Sequence, residues 1–296
     1  MRILTDDDVR AVPAAVLVAA ARDTLLQAGR GELVAPPRSR IELGDRATYV
    51  VTAGALADGT SGFRVYEAGH VTDDQLVAVW GPDGHLTGLV LGNQLGARRT
   101  GALGAVAVDT LARPDADVLG LVGTGRQAWT QLWAVSAVRP LREVRVHSRD
   151  AGRRASFVAR ARDELGVPAV AVEDARAAVA GAGIVILATV ATSPVIDAAD
   201  VAPGAHVSTL GPNLVSGHET PLGLLDRAAV LVTDSVQQTR AFAGPYFTGD
   251  RPLVALGDVL VGAAQGRRSP EDITVFCSVG LAGSEVAIAQ RLLGAD

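Results

Sequence analysis

The chain contains no lysine: all 27 of its basic residues are arginine. Schiff-base chemistry through an enzyme lysine, with pyridoxal phosphate or a carbonyl substrate, is therefore excluded. A P-loop fails for want of the same residue. The single cysteine, Cys277, rules out an internal disulfide framework and any cysteine-rich metal site. Within Ile273-Thr-Val-Phe-Cys-Ser it reads as strand packing rather than a reactive thiol. The five histidines, His70, His85, His147, His206 and His218, are scattered, with no spacing of the HExxH kind, so no metal site is expected. Apolar runs of about 18 residues are missing as well, and Met1-Arg-Ile-Leu-Thr-Asp-Asp-Asp8 has no signal-peptide core. The expectation is a cytoplasmic protein without membrane contact. A net charge of −5 offers no general basic field, which argues against nucleic-acid partners. Arg153-Arg154 and Arg267-Arg268 read as solvated faces.

What is present is a globular composition, 48% hydrophobic and 20% charged over 296 residues, enough for one large or two medium domains. Thr5 to Asp8 followed by Val9 to Gln27 predicts an N-capped helix ended by Gly29 and Gly31. The next stretch, to Leu91, is β-rich: Leu33 to Val51 alternates around Pro36-Pro37, Phe63 to Val71 and Leu76 to Trp80 read as strands, and Gly81-Pro-Asp-Gly84 turns into Leu86 to Leu91. A small-residue helix follows over 95–111. From there strands and helices alternate: strands near 117–122, 143–147, 168–172, 183–188, 205–210, 229–233 and 273–277, and helices over 126–138, 151–164 and 174–181. This rhythm predicts an α/β fold, a Rossmann-type doubly wound parallel sheet, joined to a discontinuous α+β domain. The division expected is 1–112, with 281–296 returning to it as the helix Ser284 to Leu293, and 113–280.

The most informative stretch is Val118-Leu-Gly-Leu-Val-Gly-Thr-Gly-Arg-Gln-Ala128. It reads as strand, tight glycine turn and helix. Gly123 permits the turn, Gly125 lets a diphosphate approach the backbone, and Ala128 allows the helix to pack closely on the strand. Thr124, Arg126 and Gln127 complete a cradle whose free N–H groups and helix dipole favour an anion. At the end of the following strand, Ser148 and Arg149 present a hydroxyl and a guanidinium where an adenosine 2′-phosphate would sit, so NADP(H) is favoured. Asp150, one place on, keeps NAD(H) in play. The small, hydroxylic run after the strand near 188, Ala188, Thr189 and Val190, falls where the nicotinamide half should lie.

Five landmarks then occur in order: Pro37-Arg-Ser39, Gly62-Phe-Arg-Val65, Arg99-Thr-Gly101, Val122 to Ala128 and His206-Val-Ser-Thr-Leu-Gly211. With them the chain resembles the ornithine cyclodeaminase and mu-crystallin family over nearly its whole length. That resemblance implies a nicotinamide-binding domain, a substrate domain that forms a homodimer, and a small amino- or imino-acid substrate. It places Arg38 and Arg99 on the substrate carboxylate, with Arg40 close enough to substitute for Arg38. Thr100, Gly211, Val279 and Gly280 fall on the cofactor side, and Glu285 falls where many members have an aspartate, in a capping or interdomain role.

Two departures matter. Arg64 stands where many members have a catalytic lysine; a guanidinium stays charged and can bind an anion but not shuttle a proton. Asn213, expected at the substrate, stands where cyclodeaminases carry an aspartate, and an amide cannot titrate. A reductase needs less, because an iminium can arrive already protonated and need only be oriented toward a hydride. The remaining proton donors nearby are Tyr66, Glu67 and His70, with His70 the first to test. The reading is an NAD(P)H-dependent reductase or dehydrogenase acting at the α-carbon of a small imino or amino acid. An NAD-dependent ornithine or lysine cyclodeaminase is the alternative, and a nucleotide-binding protein without turnover a second.

Overall fold

The computed structural model of the protein describes residues 1–69 and 74–294. Two sheets organise it. The first has six strands in the order Arg2–Leu4, Leu86–Leu91, Gln75–Trp80, Ser61–Ala68, Thr48–Ala55 and Ser39–Glu42. Its first pair is parallel and the rest are antiparallel. Val50, Thr52 and Gly54 share the buried face, the period-two alternation of a sheet covered on one side. The helix Ser284–Leu293 covers that face, returning from the far end of the chain.

The second sheet has eight parallel strands, ordered Leu253–Ala255, Ala228–Thr233, Ile273–Cys277, His206–Thr209, Ile184–Leu187, Val118–Val122, Glu143–His147 and Ala169–Ala171. Alternate residues of its central strands feed two separate cores. Leu119, Leu121, Ile184 and Ile186 belong to one, and Val118, Val122, Val185 and Leu187 to the other. A sheet covered on both faces explains why these strands are continuous apolar runs. The strand order reverses between Val118–Val122 and Ile184–Leu187, which opens a crevice at their carboxyl ends.

The helix Gln94–Leu111 joins the two halves. It is buried along most of its length and lies against both the N-terminal helix Ala14–Gly29 and the helix Arg126–Val135. Gly101 and Gly104 make that approach feasible: a Cβ there would stand 2.2 Å from the carbonyl oxygen of Thr130 and 2.0 Å from Oε1 of Gln131. Gln131 uses the proximity to donate to the Thr100 carbonyl at 3.0 Å.

Three expectations need correction. The N-terminal helix is two helices, Asp6–Ala11 and Ala14–Gly29, because Pro13 holds Val12 extended and cannot donate to the preceding turn. Leu253–Ala255 and the small hairpin of Asn213–Leu214 with Gly217–His218 were not expected; both are too short to carry a periodic signal. Arg267 is not a solvated face. Its guanidinium donates to the carbonyls of Leu111 at 2.7 Å and Asp272 at 2.5 Å, fastening the end of the joining helix to the parallel sheet. Val71, expected within a strand, lies outside the described residues.

Candidate functional site

A cavity of about 240 Å³ lies between the two sheets, lined by Arg38, Arg64, Tyr66, Gln75, Asn93, Gly96, Ala97, Arg99, Thr100, Arg126, Gln127, Leu210, Ser278, Val279 and Gly280. Six separate segments deliver its charged and polar side chains. Arg64 and Tyr66 are two apart on Ser61–Ala68, so they face the same way, and the Arg64 guanidinium carbon sits 4.4 Å over the Tyr66 ring. Gln75, opposite Tyr66 on the next strand, accepts from Arg64 Nε at 2.9 Å. Arg99 and Thr100 come from the second turn of the joining helix. Arg38 precedes the edge strand; its backbone N–H donates to Gln238 Oε1 at 2.9 Å and its guanidinium to the carbonyl of Val279.

Behind this wall lies Glu285, 1% exposed. Its Oε1 meets Arg64 at 3.0 Å and Arg99 at 2.8 Å. Burial alone would raise the carboxyl of Glu285, but the two guanidiniums override it and hold it below its ordinary range. Burial also pulls Arg64 downward, opposed by Glu285, while the like charge of Arg99 adds to the fall. Glu285 therefore acts as the counter-ion of the pocket, more than a helix cap. Nε of Arg38 and Nε of Arg99 are buried without a hydrogen-bond partner.

The loop carrying Val279 and Gly280 is set by Asp234. Its carboxylate accepts from the N–H groups of Val279 at 2.9 Å and Gly280 at 2.9 Å and from the Ser278 hydroxyl at 3.2 Å. Burial pushes this carboxyl up, against the pull of those donors. Glu219, fully buried, does the same for the crevice of the parallel sheet. It accepts from Thr189 N–H at 2.8 Å and hydroxyl at 2.7 Å, from the Thr209 hydroxyl at 2.9 Å, and from the N–H groups of Leu210 at 3.1 Å and Gly211 at 2.6 Å. Neither acid was singled out from sequence. Asp234 follows a strand's carboxyl end, where ligand-facing loops gather, and that position was the available signal. Glu219 ends a loop, and nothing local marks it.

At the glycine turn, Gly123 adopts φ +120°, and a Cβ there would stand 2.3 Å from the Ala188 carbonyl oxygen, so only glycine fits. Gly125 caps the helix Arg126–Val135, with open space where a Cβ would be and no side chain on the first N–H groups. Ala128 is fully buried. Thr124 and Gly125 line a second cavity of about 270 Å³, and Arg126 belongs to the walls of both. At the adenosine end, Ser148 donates to the Asp150 carbonyl at 3.1 Å and Arg149 is exposed. The Asp150 carboxylate caps the next helix, accepting from Arg153 N–H at 2.9 Å. Ala188 lies against Gly123, Thr189 is tied to Glu219, and Val190 is 84% exposed.

The structure thus gathers Arg38, Arg64, Arg99, Thr100, Arg126, Gln127, Val279 and Gly280 around one cavity. Asn213 is not among its lining residues: it lies in the small hairpin, its carbonyl accepting from Phe247 N–H at 3.0 Å. Arg40 points to solvent on the edge strand, so Arg38 is the pocket residue. Tyr66 lines the pocket and Glu67, on the alternate face, does not. His70 lies outside the described residues. Among the described residues no cluster of His, Cys, Asp and Glu could hold a metal, and no helix is long and apolar enough to cross a membrane.

Comparison with known proteins places this geometry. The model of the ornithine cyclodeaminase/mu-crystallin family matches residues 76–293. A Delta(1)-pyrroline-2-carboxylate reductase of Bacillus cereus is 32% identical over 69% of this chain and 65% of its own. The structure of a probable ornithine cyclodeaminase from Bordetella pertussis superposes with a TM-score of 0.90, 28% identity and 99% and 96% coverage of the two chains. The iminosuccinate reductase of Paracoccus denitrificans, in complex with NAD+, gives 0.86, 25% identity and 99% and 95% coverage. With the family model matching most of its length and its pocket lined by the arginines the resemblance marked, this chain belongs to the ornithine cyclodeaminase/mu-crystallin family.

Proposed function

We propose that the protein is an NAD(P)H-dependent reductase that delivers hydride to the α-carbon of a small imino acid, or removes it from the matching amino acid. The observation that carries this reading is the arginine pocket itself: Arg38, Arg64 and Arg99 line a cavity that has no carboxylate in its lining among the described residues and that Arg126 joins to the glycine turn. The turn fits a dinucleotide, since Gly125 leaves its cradle open and Gly123 cannot carry a side chain. When bound, the nicotinamide group supplies or takes the hydride. The chain's own contribution is orientation: Arg38 and Arg99 fix the carboxylate by charge-assisted hydrogen bonds, so that the α-carbon is presented in one pose. Gly123 to Ala128 hold the diphosphate, and Thr100, Gly211, Val279 and Gly280 enclose the nicotinamide half together with Ala188, Thr189 and Val190.

Arg64 binds and orients; it does not move protons. Tyr66, under that guanidinium, brings the one phenol that lines the cavity among the described residues. Addition of hydride to an iminium carbon places the C=N electron pair on nitrogen, and the amine then takes its proton from water. Ammonia-releasing cyclisation of a diamine asks for a carboxylate in the cavity to manage the amine's protons, and no carboxylate lines it among the described residues. NADP(H) is favoured over NAD(H), because the Asp150 carboxylate is occupied as a helix cap while the neighbouring Arg149 guanidinium is exposed. We further propose a division into 1–112 with 281–296 for substrate and dimerisation and 113–280 for the cofactor, in a cytoplasmic homodimer.

The deciding measurement is titration of purified protein with NADPH and NADH by fluorescence, followed by absorbance at 340 nm with Delta(1)-pyrroline-2-carboxylate and open-chain imines. Nucleotide oxidation matched by amino-acid formation is expected. Failure to bind either nucleotide, or binding with no hydride transfer to any imine, defeats the proposal. Ornithine converted to proline with no net change at 340 nm would establish the cyclodeaminase instead.

A further inference from the structure

The relatives named above differ in the side chain their substrates bring, and the charge of this pocket discriminates among them. Arg38, Arg64 and Arg99 are three positive charges that cannot be shed by deprotonation. Two buried carboxylates stand against them: Glu285 bridges Arg64 and Arg99, and Asp234 lies one layer back, its oxygens taken by the Ser278 hydroxyl and the Val279 and Gly280 N–H groups. Arg126 also lines the cavity but stands at the glycine turn and belongs to its second cavity; among the other three the balance is one surplus guanidinium, in a site where Arg64 and Arg99 are 9% and 8% exposed. A lysine in place of Arg64 could discharge itself by losing a proton; a guanidinium needs an anion.

An α-iminium monocarboxylate has no net charge and leaves that surplus in place. An α-iminium with two carboxylates carries −1 and cancels it. The lining agrees, because it offers uncharged donors close to Arg64. Gln75 gives its Oε1 to Arg64, which leaves its NH₂ to donate, and Asn93 stands on the same wall. A neutral aliphatic side chain would leave those donors without an acceptor, and an ammonium side chain would find no acid in the lining among the described residues.

Resting on the reductase reading, we propose that the preferred substrate is an α-imino dicarboxylate, its α-carboxylate held by Arg38 and Arg99 and its distal carboxylate by Arg64 with Gln75 and Asn93. Hydride from NAD(P)H adds to the iminium carbon, the cofactor is left oxidised, and the product is an α-amino dicarboxylate.

The test compares kcat/KM, with saturating NADPH or NADH, for the imines that form from ammonium with pyruvate, oxaloacetate and 2-oxoglutarate, and for Delta(1)-pyrroline-2-carboxylate. At least a tenfold preference for one of the two dicarboxylates is expected. Arg64→Met should reduce that preference tenfold or more; nucleotide binding shows that the variant is folded. If pyruvate imine or the cyclic imine is reduced as well as either dicarboxylate, the inference is overturned and the reductase reading stands. If no imine is reduced, the reading fails and the charge argument is judged by calorimetry on the nucleotide-loaded protein. Succinate or glutarate binding at least tenfold tighter than butyrate, with the difference lost in Arg64→Met, supports it, and equal affinities overturn it.

Discussion

The glycine turn and the arginine pocket share a wall at Arg126 but recognise anions by opposite means. The turn works with backbone: N–H groups at a helix start, uncovered because Gly123 and Gly125 have no side chains. The pocket works with side chains of permanent charge brought from positions 38, 64 and 99, and it needs Glu285 from a fourth segment to keep those charges together. A backbone cradle has no net charge when empty, so no charge repulsion opposes its folding. A buried cluster of guanidiniums carries its own repulsion and desolvation, so function there is bound to folding.

That contrast is most exposed by removing the counter-ion. Glu285→Ala should destabilise the fold by about 3–5 kcal/mol, since it leaves two buried guanidiniums without their counter-ion; urea or guanidinium unfolding measures it, and a loss below 1 kcal/mol would show that Glu285 does not hold the cluster together. Arg99→Met should lower kcat/KM about a hundredfold, roughly 3 kcal/mol for a truncated buried charge pair, with nucleotide affinity moved less than threefold. An equal loss of nucleotide binding would merge the two regions into one. On the other side, Gly125→Val should leave stability within about 0.5 kcal/mol, as its side chain enters open space, yet weaken nucleotide binding at least tenfold.

The two halves should also differ in their response to acid. His206, fully buried between Thr274 and Ser208 hydroxyls at 2.9 and 3.1 Å, has its pKa lowered by burial to about 3. The unfolded chain takes up that proton near pH 6.5 and the folded chain refuses it until about 3. Stability should therefore fall as pH drops below 6.5, by roughly 1 kcal/mol per pH unit from this group. Glu285, held below its ordinary range, contributes stability that is present above the unfolded carboxyl pKa and is lost only as pH falls through its depressed value. In the interval from 6.5 down to the carboxyl range, the loss belongs to the parallel sheet, and His206→Gln should flatten it. The smallest effect expected is in cofactor choice: Arg149→Ala should shift the NADPH to NADH affinity ratio about tenfold, roughly 1.4 kcal/mol. No shift would move the 2′ recognition elsewhere.

The same contrast explains what could be read in advance. The turn is contiguous, each glycine standing where a local steric demand puts it, so Val118 to Ala128 was legible residue by residue. The alternation from 118 to 277 predicted the parallel sheet for a related reason: a strand buried on both faces must be apolar throughout. The pocket was legible only through family resemblance, because nothing local distinguishes Arg38 and Arg99 from Arg40 and Arg98. Asn213 stands outside the cavity lining because the loop beyond Gly211 folds back into a hairpin of its own.

Local sequence, then, dictated the strands, the glycine turn, the absence of a proton-shuttling lysine and the permanent charge of every basic side chain, since these depend on chain stereochemistry and on intrinsic side-chain chemistry. Only tertiary structure decided which arginines meet, that Glu285 lies between two of them, and that Asp234 and Glu219 hold the loops around the crevice. Those outcomes depend on contacts between residues far apart in the chain, and the free energy of a buried charge is set by the partners that packing brings to it.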